Sequence, residues 1–139
     1  MQKIVVDTNV FVSALIQNSF PRKIVYDLLL EKKVVLCLSL PLLYEYIEVL
    51  CREKFCKYRD FFLRAESIIS FVKKEALMYS PKIKLDVISD KDDNKILELA
   101  DESNADFIVT GNTNDFTLPQ YKNTKILIPR DYWLLFHER

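Results

Sequence analysis

Ile4-Val5-Val6-Asp7-Thr8-Asn9-Val10 is the stretch on which the fold turns. Three consecutive aliphatic residues, two of them valine, predict a short strand buried on both faces, as in the interior of a parallel sheet. Asp7 closes that run. Val10 to Ile16 follows as an apolar segment punctuated by Ser13, which predicts a first helix capped by Thr8 or Asn9. The segment therefore has the form strand, polar turn, helix.

Reading outward, Pro21 opens a second predicted helix to about Leu30, with Ile24, Val25, Leu28 and Leu29 on one face. Residues 34–38 predict a second core strand. Ser39 and Pro41 start a third helix, and residues 58–74 form a longer one. Residues 92–103 are again helical, 107–110 form a strand, and 125–128 form a last strand before Pro129. Strands alternating with helices predict an α/β fold, a three-layer α/β/α sandwich around a central parallel sheet. No repeat, low-complexity stretch or linker interrupts residues 1–139, so one domain is expected.

Composition narrows the chemistry. Of the 139 residues 50% are hydrophobic and 29% charged, a globular balance. Twenty basic residues offset twenty acidic ones, so no global positive field advertises a polyanion partner. Three cysteines, Cys37, Cys51 and Cys56, form no C-x-x-C pair, and His137 is the single histidine, which disfavours a Cys/His zinc site. Reduced thiols suit a cytoplasmic protein. The apolar N-terminus is broken by Asp7 and Asn9, and reads as a buried strand instead of a signal peptide or membrane span. Gly111 is the one glycine, which excludes the Rossmann fingerprint and the P-loop, and with them a nucleotide cofactor. With one C-terminal histidine, a Ser-His-Asp or Cys-His arrangement is disfavoured too. Carboxylate chemistry is what is left.

In open parallel sheets ligands bind beyond the carboxyl ends of the strands. Asp7 falls at such an end, and Asn112 and Asp115 follow the strand closed by Thr110. Asp7 could instead cap the helix after it, although Thr8 and Asn9 can do that as well. Glu45 has no helical salt-bridge partner, whereas Glu48 has Arg52 at i+4. It lies at the border of the stripe made by Leu43, Tyr46, Ile47 and Leu50, either half-buried and in want of a cation or simply solvated. Asp93 has Ile96, Leu97 and Ala100 at i+3, i+4 and i+7, which centres it on the apolar face of its helix. It could serve a capping box with Asp90. A carboxylate on that face, near Asp90 and Asp92, is otherwise costly without a neutralising charge. Oxygen-only ligands of this kind suit Mg²⁺ or Mn²⁺.

Taken together, residues 4–10, Glu45, the run Asp92-Asp93-Asn94-Lys95-Ile96-Leu97-Glu98-Leu99-Ala100, and Phe107 to Asn112 with Asp115-Phe116 resemble the PIN-domain nucleases. The likeness runs from residue 4 to about residue 130. It is nearest to the branch of toxin components of bacterial toxin–antitoxin pairs. The resemblance implies a Mg²⁺- or Mn²⁺-dependent endoribonuclease, often a homodimer, with an antitoxin protein as a further partner. By position, Asp7, Glu45 and Asp93 match the family's first three acids, Thr8 and Asn9 its supporting polar residues, and Thr110 the residue closing the last site strand. Many members have Asp where this chain has Asn112, so the fourth metal ligand passes to Asp115 or one ion binds weakly.

For RNA contact, Arg52, Lys54, Phe55, Lys57, Tyr58, Arg59, Phe61, Phe62 and Arg64 interleave cations with aromatic rings that could stack on bases, although the same pattern suits an amphipathic helix with solvated charges. Competing readings fare less well. A haloacid-dehalogenase-type phosphatase needs a second aspartate where Asn9 stands, and the acidic pair and lysine of a response-regulator receiver are not evident. A catalytically silent PIN-like module that binds RNA or a partner protein remains the alternative, with Asn112 in its favour.

Overall fold

A computed structural model of the chain describes residues 1–84, 91–111 and 118–138, of which 91–93 by backbone alone. Strand β1 (Lys3–Val6) lies at the centre of a six-stranded sheet, with Ile4, Val5 and Val6 fully buried. It pairs in parallel with β2 (Val35–Leu38) on one side and β4 (Phe107–Val109) on the other. Beyond β2 lies the short β3 (Leu77–Met78), and beyond β4 lies β6 (Thr124–Leu127), both parallel to their neighbours. Among the described strands only β5 (Gln120–Tyr121) runs against its partner, as a hairpin edge whose turn carries Lys122 at positive φ.

Helices cover the sheet: α1 (Thr8–Ile16), α2 (Phe20–Lys23), α3 (Leu40–Leu50), α4 (Phe61–Glu75), α5 (Lys91–Ser103) and α6 (Pro129–Phe136). The fold is therefore α/β with a central, mostly parallel sheet, as the alternation of sequence patterns implied. The second predicted helix is a shorter α2 continuing into a π-type segment, Ile24–Leu29, which still buries Ile24, Val25, Leu28 and Leu29. Ser39 caps α3 by accepting from the Leu42 amide at 3.4 Å. The predicted helix over residues 58–74 starts three residues late, because Asp60 adopts left-handed backbone angles and its chain turns there.

The sheet order fixes where a site can form. From β1 the chain crosses to β2 on one side, whereas β4 leads to β6 on the other, so the crevice between β1 and β4 is a topological switch point. The register pairs Val6 with Val109. Asp7 and Thr110 are each the next residue along, and so emerge side by side. Asp7 N–H donates to the Val109 carbonyl at 3.0 Å, and Thr110 N–H to the Leu127 carbonyl at 3.0 Å, so both positions are pinned by main chain.

Candidate active site

Asp7 occupies the N-cap position of α1, yet its side chain makes no cap bond. It is 5% exposed, and its Oδ2 accepts from the Thr110 hydroxyl at 2.7 Å. The helix starts without its help, since the Val10 amide donates to the Asp7 carbonyl at 3.0 Å. Thr8 does not cap with its hydroxyl either. It donates to Glu45 Oε2, joining the first turn of α1 to α3. One residue on from Glu45, the buried Tyr46 donates its hydroxyl to the Val6 carbonyl, which fastens α3 to the last residue of β1. Burial holds the Tyr46 hydroxyl protonated far above its usual range, reinforced by the charges of Asp7 and Glu45, so it is a permanent donor.

Glu45 completes the group through its other oxygen, Oε1, which forms an ion pair with the Lys95 ammonium. Both side chains are sheltered, at 21% exposure for Lys95 and 24% for Glu45. The contact brings the first turns of α5 against α3, beside the buried Asn94. Burial pushes the Asp7 carboxyl above its usual range, and the Glu45 charge adds to this. The Thr110 hydroxyl, the Thr8 amide and the more distant Lys95 oppose the shift without overcoming it. Among the described residues the site thus combines two carboxylates, the hydroxyls of two threonines and one tyrosine, and one ammonium at the carboxyl end of the central strands.

The remaining sequence candidates fall as follows. Asn9 is exposed, and its Oδ1 accepts from the Gly111 amide at 3.4 Å, tying the turn after β1 to the turn after β4. Asp93 is the third residue of α5, and the face it heads is buried at Ile96, Leu97 and Ala100, but its side chain lies outside the described residues. Asn112 and Asp115 lie outside the described residues altogether. Among the described residues no three His, Cys, Asp or Glu side chains converge closely enough to enclose a metal. The basic-aromatic segment is divided: Lys54, Lys57, Arg59 and Phe62 are exposed, whereas other members are engaged within the fold. Phe55 and Phe61 are buried and stacked at 4.7 Å, and Arg52 is held by Glu48 at 2.9 Å.

Lys95 and Tyr46 were not singled out by sequence reasoning. Each acts on a group far away in the chain, so local spacing carried no signal for either; a lysine one helical turn into a helix headed by aspartates was the only hint.

Fold and site together define a protein of the parallel α/β class with a carboxylate cluster at the switch point of its sheet. The family model of the PIN domain matches residues 3–114. The uncharacterized protein MJ1680 of Methanocaldococcus jannaschii is 37% identical over 117 residues, spanning 84% of this chain and 74% of the relative. The chain belongs to the PIN-domain family, whose members are generally nucleases, hydrolases that act on nucleic acid and use divalent metal ions. None of the described helices is long and apolar enough to cross a membrane.

Proposed function

We propose that this chain is a Mg²⁺- or Mn²⁺-dependent endoribonuclease, folded as one PIN domain over residues 1–139. The observation that carries the proposal is the buried Asp7 carboxylate, set by strand register against Thr110 and sharing its surroundings with Glu45. A buried acid with a second acid beside it is unfavourable without a cation. The donors are hard oxygens, with no histidine or thiolate among them, and such a set fits Mg²⁺ or Mn²⁺. Asp7 and Glu45 would hold the ion together with Asp93 and Asp115. When bound it would activate water for attack on the phosphorus and stabilise the departing oxygen.

The residues of the chain have their own tasks in this account. Thr110 orients the Asp7 carboxylate, and Thr8 orients that of Glu45. Asn9 holds the Gly111 turn at the mouth of the crevice, next to Asn112. Lys95 neutralises Glu45 in the metal-free protein, and would turn to a substrate phosphate once Glu45 takes a metal. Three acids suffice for one ion, so Asn112 weakens a second metal without removing the first.

The wider role we infer is that of the toxin half of a toxin–antitoxin pair, cytoplasmic and homodimeric, restrained by a partner protein. It rests on the likeness of the residue pattern to that branch. Cleavage of a panel of structured RNAs in Mn²⁺ against EDTA tests the activity, with Asp7→Asn as the matched control. Equal cleavage by both proteins would overturn the assignment. A second reading, a PIN module that binds RNA without cutting it, is favoured by Asn112. RNA bound but left intact in Mn²⁺ would support it.

A further inference from the structure

A cleft of about 550 Å³ lies away from the carboxylate site, lined by Asn18, Arg22, Lys23, Tyr26, Asp27 and Arg64. Both arginines are partly buried and anchored to the last turn of α1: Arg22 Nε donates to the Ala14 carbonyl at 2.8 Å, and an Arg64 terminal nitrogen to the Leu15 carbonyl at 2.7 Å. These bonds satisfy carbonyls at a helix C-terminus, a structural use for one nitrogen of each fork. Among the described residues nothing answers either charge: no carboxylate lies within 4 Å of either guanidinium, although Asp27 lines the same cleft. Arg64 Nε is moreover buried with no acceptor among the described residues. A partly desolvated guanidinium pair without a counter-anion is the unfavourable arrangement that a bound anion relieves. Lys23 adds a third positive charge on the rim, its ammonium 5.2 Å from the centre of the Phe20 ring and 5.8 Å from that of Trp133.

We propose that this cleft is a phosphate subsite, in which Arg22 and Arg64 hold a backbone phosphate of the RNA strand while Lys23 attracts its neighbours. Guanidinium forks match phosphate oxygens, and their rigid anchoring by α1 presets the geometry. Helix α1 links the two sites: it begins at Thr8, beside Asp7, and meets Arg22 and Arg64 at the Ala14 and Leu15 carbonyls, about 10 Å further along its axis. A phosphate held there would fix the strand at a distance from the scissile bond, giving a protein without net charge a local hold on a polyanion. This inference rests on the RNA-cleaving function proposed above.

The test is the salt dependence of binding of a fluorescein-labelled single-stranded RNA, kept intact in EDTA, to the full chain. Each cation lost from a phosphate contact on a single strand lowers the steepness of log affinity against log salt by about 0.7. Arg22→Gln and Arg64→Gln should each show that drop, Arg64→Lys should restore the slope, and Lys73→Gln on the far end of α4 should leave it unchanged. The anchoring bonds to α1 alone would move the melting temperature but not the slope. Should either arginine variant fail to fold, the exposed Lys23→Gln carries the test with the same expected drop. Inorganic phosphate should displace the RNA from wild type and lose that power on Arg64→Gln. RNA binding with slopes equal to wild type in all variants would overturn the subsite and leave the nuclease reading standing. Phosphate that protects wild type but never competes with RNA would overturn the strand as occupant in favour of free phosphate. Failure of wild type to bind the RNA would overturn the subsite, and cleavage in Mn²⁺ would decide the nuclease reading separately.

Discussion

The two ends of the central sheet carry nearly the same side chains and use them in opposite ways. At the amino end, Lys3 Nζ donates to the Ser103 carbonyl at 2.7 Å, and Asp106 accepts the Lys3 amide at 2.8 Å through Oδ2. Acid and lysine there are tied to main-chain groups, and Asp106 is exposed. At the carboxyl end, Asp7 and Glu45 accept from the hydroxyls of Thr110 and Thr8, and Lys95 meets a carboxylate instead of a carbonyl. Polar groups bonded to backbone hold a fold; polar groups bonded to one another in a buried crevice can exchange those partners for a ligand. The carboxyl end is also the costly one. Asp7 is buried and its carboxyl is raised in pKa, whereas Asp106 is exposed and Lys3 only half-buried.

Substitutions at equivalent places should separate the two ends. The largest effect is expected for Asp7→Asn, with metal-dependent RNA cleavage reduced to background while circular dichroism reports an intact fold. Stability should move the other way. Because the folded pKa of Asp7 is raised, the native state keeps a proton that the unfolded chain releases; stability from this group is present at low pH and lost as pH rises through the raised value. Asparagine removes that loss, so urea melts without metal should show Asp7→Asn gaining on wild type between acidic and neutral pH. A constant gap across that range would mean Asp7 ionises as readily folded as unfolded.

Next comes Thr110→Val, which keeps the shape and deletes the hydroxyl that steadies Asp7. Cleavage should fall by roughly 10–100-fold, as for other groups that orient a metal ligand. Stability should drop by about 1–3 kcal/mol from the acceptor left unsatisfied, measured by denaturant titration. Lys95→Gln should lower the melting temperature of the metal-free protein and tighten Mn²⁺ several-fold in calorimetric titration, because Glu45 is then no longer engaged. Weaker Mn²⁺ binding in that variant would make Lys95 a scaffold for the site and not a counter-ion within it. The smallest effect belongs to the amino end. Lys3→Met should cost about 1 kcal/mol, as for one partly buried hydrogen bond, and should leave the cleavage rate as it is.

How far these features were legible in the sequence follows from the range of the interactions behind them. The strand at residues 4–6, its terminal aspartate and the apolar face of α5 were visible because burial on a strand or helix imposes a short period on the sequence. The family pattern, too, was carried by four local stretches. The π-type segment after α2 was not visible, since it buries the same residues an α-helix would. Strands β3 and β5, two residues each, exist because neighbouring strands offer them an edge, and Leu77 and Met78 are exposed. Pro129 ended the last predicted strand correctly, but α6 behind it was passed over although proline favours a first helical turn. At the site, the partners of Glu45 come from α1 and α5, and only the folded chain joins them. Between the two readings of the basic-aromatic segment, base stacking or an amphipathic helix, Phe55 and Phe61 follow the second, since two rings gain more by burial against each other than at a surface.

The central claim is that the carboxyl end of the sheet holds a divalent ion through Asp7. Thermal melts at pH 7.5 with and without Mn²⁺ address it most directly, because an ion that binds only the folded protein must stabilise it, by roughly 2.7 kcal/mol at a hundredfold excess over its dissociation constant. We expect the melting temperature of wild type to rise with Mn²⁺ and that of Asp7→Asn to stay where it is. No rise in wild type, or an equal rise in both proteins, would contradict the account.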